Sequence, residues 1–311
     1  MIDLSVNIGG LRLKNPVMPA SGTFAEELCH LLDFNELGAL VTKTITEEKR
    51  TGNPLPRVCE LPDGMMNAIG IPSKGAHVFI EKVVPFYRDF DSPLIVSVSA
   101  PTVKGFADIM ARLSDVPGVA GIEANISCPN IESHGKSFAM HANSTAQVVK
   151  AMRASSKLPL WVKLTPNSGD VVDVARAAEA EGADAVVVGN TLLGLSIDIE
   201  KRRARLGNFM GGISGAVIKP LMVRLTYQCA QVLKIPVVGC GGVCTADDAL
   251  EFMLAGASAV QVGTATFIQP KAMSDIIKEL EAFCLRKNIT ELRSLIGGLD
   301  DSLGEPFGAM P

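Results

Sequence analysis

Eight short apolar runs of two alternating kinds constrain the fold more than any other feature of this 311-residue sequence. Runs of the first kind follow a proline, runs of the second kind follow a glycine, and the two kinds alternate strictly along the chain. Each run has the length of a strand, is rich in β-branched residues and is bounded by glycine or proline, which is typical of buried β-strands. The first kind spans residues 15–20, 92–100, 158–166 and 235–242, and the second kind spans residues 37–44, 120–127, 182–191 and 256–264.

Helical stretches lie between the runs. Residues 171–182 and 246–256 carry apolar side chains at i, i+3 and i+4 and end in glycine, a common C-terminal signal of a helix. Strands that alternate with helices form parallel βαβ units, and eight such units predict an α/β fold, the (β/α)₈ TIM barrel. The alternative is a doubly wound open sheet. That fold usually has fewer strands and a glycine-rich first turn, whereas the glycine-rich turns of this chain come last.

The remaining length is concentrated in a few places. Residues 4–13 predict an N-terminal β-hairpin with a Gly-Gly turn. Long loops follow the second, fourth and sixth runs, at residues 45–91, 128–145 and 190–218. All three leave the C-terminal ends of strands, where barrels of this kind place their active sites. We therefore expect a single barrel domain over residues 1–311, with its site at that face.

Composition excludes several classes of function. The net charge is −4 without a basic stripe, which argues against nucleic acid as a partner. No apolar stretch reaches the ~20 residues of a membrane span, and the N-terminus lacks a signal-peptide pattern. Seven cysteines, an odd and widely spaced set, indicate reduced thiols and a cytoplasmic location. Their only close pair, at 240–244, has no second pair, so we expect no metal site, and we expect Cys29, Cys229 and Cys284 to be buried apolar residues.

Polar residues or glycines occupy the C-terminal end of every run. Because the strand ends of a barrel share one face, this pattern indicates a polar ligand there. These residues are Ser21, Lys43, Thr44, Ser97, Ser99, Asn125, Lys163, Thr165, Asn190, Thr191, the pair Gly241–Gly242 and the pair Gly263–Thr264.

Lys43 and Lys163 lie inside or at the edge of apolar strands. A buried ammonium group is costly unless it meets an anion or strong acceptors. The alternative to an anionic ligand is an internal salt bridge, for which Glu123 is the one obvious carboxylate in the neighbouring strand segments. We favour anionic ligand atoms.

The glycines of GCGGV (239–243) and VGT (262–264) follow the seventh and eighth runs. Loops at these positions often bind phosphate in barrels, because glycine lets backbone N–H groups approach the oxygens. The alternative is that they form tight turns and nothing more. A phosphate-bearing flavin fits this pattern, whereas a nicotinamide cofactor fits less well because GCGGVC does not match G-x-G-x-x-G.

The stretch NISCPN (125–130) places Cys128 on the long loop over the expected barrel mouth. A thiol with a pKa near ~8.5 can act as a general base or as a nucleophile if its surroundings help. The residues alone leave general base, nucleophile and uninvolved residue equally open.

A set of motifs resembles the dihydroorotate dehydrogenase family, in family order over roughly residues 4–268. They are VTKT (41–44), GMMNAIGI (64–71), NISCPN, GNTLLGLSID (189–198), GGISG (211–215), GCGGV and ASAVQVGT (257–264). Cysteine rather than serine in NISCPN is similar to the class 1 enzymes. MNAIGI and NTLLG…GGISG look most like the class 1B catalytic subunit, which passes electrons to NAD⁺.

The resemblance implies FMN across the barrel mouth, with its phosphate at Gly215, Gly241, Gly242, Gly263 and Thr264. It implies that Lys163 lies near the N1/O2 side of the ring, where negative charge collects on reduction. The other residues expected around FMN are Ser21, Lys43, Thr44, Ser97, Asn125 and Gly189.

The resemblance also implies the substrate and its chemistry. Cys128 would remove the C5 proton of dihydroorotate as general base while hydride leaves C6 for flavin N5, yielding orotate in de novo pyrimidine (UMP) biosynthesis. The residues expected to bind the substrate are Lys43, Asn67, Ala68, Ile69, Gly70, Ile71, Asn125, Asn130, Asn190 and Thr191.

Three features depart from the family pattern. Ser97 stands where an asparagine is frequent, Gly189 stands where a larger apolar residue is usual, and the 131–147 loop is dissimilar. They leave open a related dihydropyrimidine as substrate.

The acceptor of the electrons is a separate question, because the chain has no iron–sulfur cysteine cluster and no dinucleotide fingerprint. We expect a homodimer core with a partner subunit that carries FAD and a [2Fe–2S] cluster, so that a heterotetramer forms. The alternatives are a fumarate-using enzyme similar to class 1A, a barrel lyase or isomerase that uses Lys163 on a phosphorylated substrate, and a non-catalytic ligand-binding barrel.

Overall fold

The computed structural model describes residues 2–127, 137–300 and 302. The strands, numbered along the chain, are β1 (Val6–Ile8), β2 (Leu11–Leu13), β3 (Val17–Pro19), β4 (Leu40–Val41), β5 (Val58–Leu61), β6 (Gly64–Asn67), β7 (Leu94–Val98), β8 (Val119–Asn125), β9 (Leu160–Lys163), β10 (Ala185–Val188), β11 (Leu192–Gly194), β12 (Ile197–Asp198), β13 (Arg203–Ala204), β14 (Gly211–Ser214), β15 (Val237–Cys240) and β16 (Ala259–Val262).

Eight of these strands form a parallel barrel in the order β3-β16-β15-β10-β9-β8-β7-β4. Backbone bonds close the ring between its first and second strands. The N–H of Gly38 donates to the carbonyl of Val17 at 2.8 Å, and the N–H of Thr44 donates to the carbonyl of Ser21 at 3.2 Å. Each of the eight apolar runs supplies one barrel strand, so the barrel prediction is confirmed.

Helices cover the outside of the barrel. They are α1 (Ala76–Val78), α2 (Val84–Tyr87), α3 (Val103–Ser114), α4 (Ala142–Ser155), α5 (Val171–Ala180), α6 (Lys219–Ala230), α7 (Ala246–Leu254), α8 (Ala265–Ile268) and α9 (Ala272–Lys287). Both predicted helices form, as α5 and α7. A capping box begins α7, because Thr245 and Asp248 accept each other's backbone N–H groups. Across the described residues, no helix is both long enough and apolar enough to span a membrane.

The N-terminal hairpin, β1 and β2, lies against the N-terminal ends of the barrel strands. Its turn residues Gly9 and Gly10 both have positive φ, as a two-residue hairpin turn requires. Gly9 lies against Trp161 and Asp184, which stand at the starts of β9 and β10. Ile8, Leu13 and Trp161 are fully buried in one apolar cluster. The hairpin therefore closes this end of the barrel.

A second sheet forms from the loops at the opposite end. The loops after the second and sixth barrel strands pair with each other as an antiparallel sheet in the order β11-β14-β6-β5, with Gly212 opposite Asn67. Strands β12 and β13 form a small separate hairpin. Sequence analysis located these long loops but did not predict their strands. The pairing brings residues 67–71 beside Asn190 and Thr191, although more than 100 positions separate them.

Candidate active site

A cavity of about 570 Å³ opens at the C-terminal end of the barrel, between the strand ends and the second sheet. Most of the residues that the sequence singled out line it. They are Ser21, Lys43, Thr44, Asn67, Ile69, Gly70, Ile71, Asn125, Lys163, Asn190, Thr191, Gly215, Gly241, Gly242, Gly263 and Thr264. Further lining residues that sequence reasoning missed include Phe24, Met65, Ser127, Ser214 and Phe267.

Ala68, Ser97 and Gly189 lie behind the cavity wall rather than on it. The backbone N–H of Ala68 donates to the carbonyl of Arg57 at 2.8 Å, which anchors the segment that includes Ile69. Ser97 is fully buried and hydrogen-bonds Thr44 at 2.9 Å. Cys128 and Asn130, which the sequence predicts as base and substrate ligand, lie outside the described residues.

Gly189, which departs from the expected family pattern, lies where β10 and β15 approach closely. Its φ is +138°, and a Cβ at this position would overlap the carbonyl oxygen of Cys240 on the neighbouring strand. Only glycine permits this close approach of β10 and β15. The packing of these two strands therefore requires glycine at position 189 in this chain.

Lys163 lies at the bottom of the cavity and has partners from three other strands or loops. Its ammonium group donates to Gln261 Oε1, lies 3.5 Å from Ser21 Oγ and lies 3.9 Å from Glu123 Oε1. The carboxylate of Glu123 is fully buried. The internal ion pair that the sequence left as the alternative is therefore present for Lys163.

Lys43 differs from Lys163. Its side chain lines the cavity, and within the described residues no carboxylate lies within 4.0 Å of its ammonium group. Burial lowers the pKa of the Lys43 ammonium. A partly desolvated cation without a counter-charge favours an anionic ligand in the cavity.

Four glycines form part of the cavity wall: Gly215, Gly241, Gly242 and Gly263. The first three have positive φ. A Cβ on Gly242 would lie 2.6 Å from Lys219 Cβ, and a Cβ on Gly241 would lie 2.8 Å from Met222 Cγ. Gly241 and Gly242 therefore permit tight turns against α6, and all four glycines leave this part of the cavity wall without side chains. Ser214 and Thr264, which hydrogen-bond each other at 2.8 Å, add two hydroxyl groups beside them.

Hydrogen bonds hold two carboxamides at the cavity wall. Asn125 Nδ2 donates to Thr44 Oγ1 at 3.1 Å, and Asn125 Oδ1 accepts from Ser127 Oγ at 2.6 Å. Asn190 Nδ2 donates to Ser127 Oγ at 2.5 Å, and Asn190 Oδ1 accepts the N–H of Thr191 at 2.8 Å. The strand ends of β8 and β10 are thereby joined through side chains. Ser127 stands inside the NISCPN motif, and this position is the signal by which the sequence could have indicated it as a site residue.

The expected burial of three cysteines is confirmed for two of them. Cys229 and Cys284 are buried, as the sequence predicts, whereas Cys29 is only partly buried because its short helical segment, Glu26–His30, lies at the surface.

Ile71 lines the cavity with a φ of +48°, which is rare for a β-branched residue. The neighbouring Gly70 is also left-handed, with a φ of +79°.

Comparison with known proteins identifies the family. The family model described as dihydroorotate dehydrogenase matches residues 3–284. Three relatives bear the name dihydroorotate dehydrogenase B (NAD(+)), catalytic subunit. The protein from Trichlorobacter lovleyi is 47% identical over 299 residues (96% of this chain, 98% of that one). The protein from Geotalea uraniireducens is 46% identical with the same coverage. The protein from Bacteroides thetaiotaomicron is 43% identical over 302 residues (96% and 100%).

A solved structure shares the fold. It is the crystal structure of DHODH from Eimeria tenella in complex with ferulenol, which is 23% identical, covers 95% of this chain and 88% of that chain, and has a TM-score of 0.80. The family match over most of the chain and the identities of 43–47% agree with the barrel and its cavity. The chain belongs to the dihydroorotate dehydrogenase family.

Proposed function

We propose that this chain is the catalytic subunit of an NAD⁺-linked dihydroorotate dehydrogenase. It would oxidise (S)-dihydroorotate to orotate in pyrimidine biosynthesis. The single observation that carries the proposal is the cavity at the barrel mouth. There, the buried Lys163, the partly buried Lys43, several carboxamides and a group of glycines come together in a chain whose relatives bear that name.

The residues around the cavity fit FMN. Gly215, Gly241, Gly242 and Gly263 bring backbone to the wall without side chains, and the Thr264 hydroxyl lies beside them, which suits a phosphate. FMN, when bound, would accept the hydride, and with it the electron pair, that the substrate gives up. The remaining residues proposed to hold it are Ser21, Lys43, Thr44, Asn125 and Lys163, with Ser97 supporting Thr44 and Gly189 allowing β10 to approach β15.

Lys163 would supply a fixed positive charge at the bottom of the cavity. Its ammonium group is buried and held by Gln261, so little reorganisation is needed when negative charge develops nearby. Preorganised charge in a water-poor site is worth far more than the same charge in water. We therefore assign Lys163 to stabilising the reduced cofactor.

Dihydroorotate carries one carboxylate and two ring amides, so its site needs a cation together with donors and acceptors. Among the described residues, no carboxylate pairs with the ammonium group of Lys43, which lines the cavity and suits the substrate carboxylate. Asn67, Asn125 and Asn190 each offer both an amide donor and an amide acceptor, which suits the ring amides. We propose that Asn130, Thr191 and the backbone of residues 68–71 complete the substrate site.

Cys128 would hold the role of general base and remove the C5 proton. Its loop begins at the cavity, because Asn125 and Ser127 both line the wall just before it. A thiolate base suits a pH near neutrality if its pKa is lowered by its surroundings. The nucleophile reading has no counterpart in the proposed reaction, which forms no covalent substrate intermediate.

A partner subunit would carry the electrons to NAD⁺. The names of the relatives contain both NAD(+) and catalytic subunit, which supports a second subunit with FAD and a [2Fe–2S] cluster. We propose that two copies of this chain form a homodimer core that binds the partner subunit. We also propose that each copy is a single domain. The six described cysteines are free thiols, which supports a location in the reducing cytoplasm.

An acceptor assay tests the proposal. The purified chain with FMN and dihydroorotate is offered a redox dye, NAD⁺ or fumarate in separate reactions. We expect the dye to be reduced and NAD⁺ to remain oxidised until the partner subunit is added. Turnover of the chain alone with fumarate would instead support the class 1A-type alternative, and no turnover with any acceptor would contradict the proposal.

A further inference from the structure

One buried carboxylate has no part in the proposed reaction. Glu123 lies on β8 inside the barrel, beneath the cavity, and its side chain is fully inaccessible to solvent. Its two oxygens have different partners. Oε1 accepts from Ser97 Oγ at 3.0 Å, and Oε2 accepts from Gln261 Nε2 at 2.5 Å. Burying an isolated carboxylate is costly, so this residue needs an explanation.

The first chain of hydrogen bonds runs from Glu123 to Lys163. Gln261 donates through Nε2 to the carboxylate and accepts through Oε1 from the lysine. A carboxylate can only accept and an ammonium group can only donate, so the amide of Gln261 has one permitted orientation. Gln261 therefore connects the negative charge of β8 to the positive charge of β9 and holds the ammonium group in place.

The second chain runs from Glu123 to the carboxamides of the cavity wall. Ser97 uses its one hydrogen on Glu123, so Thr44 must donate to Ser97. Thr44 in turn accepts from Asn125. Asn125 then accepts from Ser127, and Ser127 accepts from Asn190.

The far end of the second chain is also fixed. Asn190 Oδ1 accepts the backbone N–H of Thr191, which can only donate. Donors therefore point towards Glu123 along the whole chain, and neither end permits the reverse direction. The consequence is that the two asparagine amides present defined donor and acceptor faces before any ligand arrives.

From these two converging chains we infer that Glu123 is a positioning residue for both halves of the site. Through Gln261 it holds Lys163 and partly offsets its charge. Through Ser97 and Thr44 it sets the orientation of Asn125 and Asn190. This inference rests on the proposed function, since it assigns Lys163 to the flavin and the two asparagines to the substrate.

The test compares Glu123→Gln with Glu179→Gln. Glu179 lies on α5 outside the cavity, where its carboxylate accepts the backbone N–H groups of Lys234 and Ile235 at 2.6 and 3.0 Å. Both changes remove one anchored negative charge at nearly constant volume. Two quantities are measured on each protein: the midpoint potential of the bound flavin, and the dissociation constant of orotate by calorimetry.

We expect Glu123→Gln to change both quantities. Without the carboxylate, the positive charge of Lys163 is no longer offset, so the protein should favour reduced over oxidised flavin about tenfold more strongly. This preference raises the midpoint potential by about 30 mV for a two-electron couple. Glutamine can donate as well as accept, so the second chain loses its fixed direction and orotate should bind about tenfold more weakly. Glu179→Gln should leave both unchanged.

Two further variants test the two hydrogen-bond chains one at a time, and they remain informative if Glu123→Gln does not fold. In Gln261→Met the ammonium group of Lys163 is drawn to Glu123, so the potential should fall while orotate affinity stays the same. In Ser97→Ala the orotate affinity should fall while the potential stays the same. If either variant changed both the midpoint potential and the orotate affinity, the assignment of two separate hydrogen-bond chains would be overturned.

The remaining outcomes are also decisive. Glu123→Gln that behaves like Glu179→Gln would overturn the inference. Wild-type protein that binds FMN but no orotate would sink the proposed function alone, because the potential of Glu123→Gln still reports on Lys163. Wild-type protein that binds no FMN would overturn both.

Discussion

The two ends of the barrel interior differ in chemistry although the same strands build them. On β9, Trp161 and Lys163 are two residues apart and therefore point to the same side. Trp161 packs with Ile8 and Leu13 at the end that the hairpin closes, and Lys163 lies among polar side chains at the open end. One end is filled with apolar side chains, and the other keeps charged and amide groups around a cavity.

Stability and function depend on different ends of this barrel. Burial of Trp161 and its neighbours at the closed end contributes to the free energy of unfolding without any need for a ligand. Burying Lys163 at the open end is costly, and Gln261 and Glu123 offset part of that cost. Changes at the closed end should therefore affect folding, and changes at the open end should affect binding and catalysis.

The largest effect is expected for Cys128→Ala. Loss of the general base should lower the rate of dihydroorotate oxidation by about 10²–10⁴-fold, while FMN binding is retained. Stopped-flow measurement of flavin reduction checks this expectation. Cys29→Ala, a partly buried cysteine away from the cavity, is the matched control and should react at the wild-type rate. Equal rates in both variants would remove Cys128 from the mechanism.

Trp161→Ala should have the next largest effect, on stability alone. The side chain is fully buried, so its removal should lower the free energy of unfolding by about 3–5 kcal/mol through lost burial and a cavity. Urea denaturation measures the change. Trp161→Phe retains most of the packing and also removes an indole N–H that has no hydrogen-bond partner among the described residues, so it should cost much less. A loss of FMN affinity in the folded alanine variant would contradict the separation of the two ends.

A pair of glycines compares the two ends directly. Gly242 and Gly10 have φ of +84° and +85°, but a Cβ on Gly242 would meet Lys219 at 2.6 Å, whereas a Cβ on Gly10 would meet nothing within 4 Å. Gly242→Ala should destabilise the chain by about 1–3 kcal/mol and weaken FMN binding about tenfold or more. Gly10→Ala should show the backbone cost only. Fluorescence titration with FMN checks both, and equal FMN affinities would contradict a phosphate site at Gly242.

The smallest effect concerns the pH dependence that Lys43 confers. Burial lowers the pKa of this ammonium from its ordinary value of 10.5, so the unfolded chain binds the proton more tightly than the folded chain. The ligand-free protein should therefore gain stability relative to Lys43→Met as the pH rises from the lowered pKa towards 10.5. Urea midpoints of both proteins across this range measure it. A difference that falls with pH would mean that Lys43 is paired with an anion inside the folded chain.

The barrel was readable from the sequence because each strand carries its own local signal. Eight apolar runs bounded by proline or glycine are enough to fix the strand count, and helical periodicity fixes the crossovers. The second sheet was not readable, since β6 and β14 pair across more than 140 positions and neither has a strong pattern alone. Long-range pairing of short, irregular segments depends on tertiary packing.

The site was predictable in part for the same reason. Polar residues at strand ends reach the cavity because parallel strands end on one face, so Lys43, Asn125 and Lys163 were found. Glu123 was identified only as a possible ion-pair partner of Lys163. Its hydrogen bond to Gln261 was not predicted, because Gln261 lies on β16, across the barrel from β8. The signal for Gln261 was a single polar residue inside the apolar run ASAVQVGT.

The most direct test of the account is an anaerobic titration of the FMN-loaded chain with dihydroorotate, followed by its visible spectrum. We expect a yellow protein whose flavin absorbance bleaches as dihydroorotate is added, with orotate formed in equal amount. A chain that takes up no FMN would contradict the assignment of the open end as a flavin site. A yellow chain that dihydroorotate does not bleach would contradict the substrate.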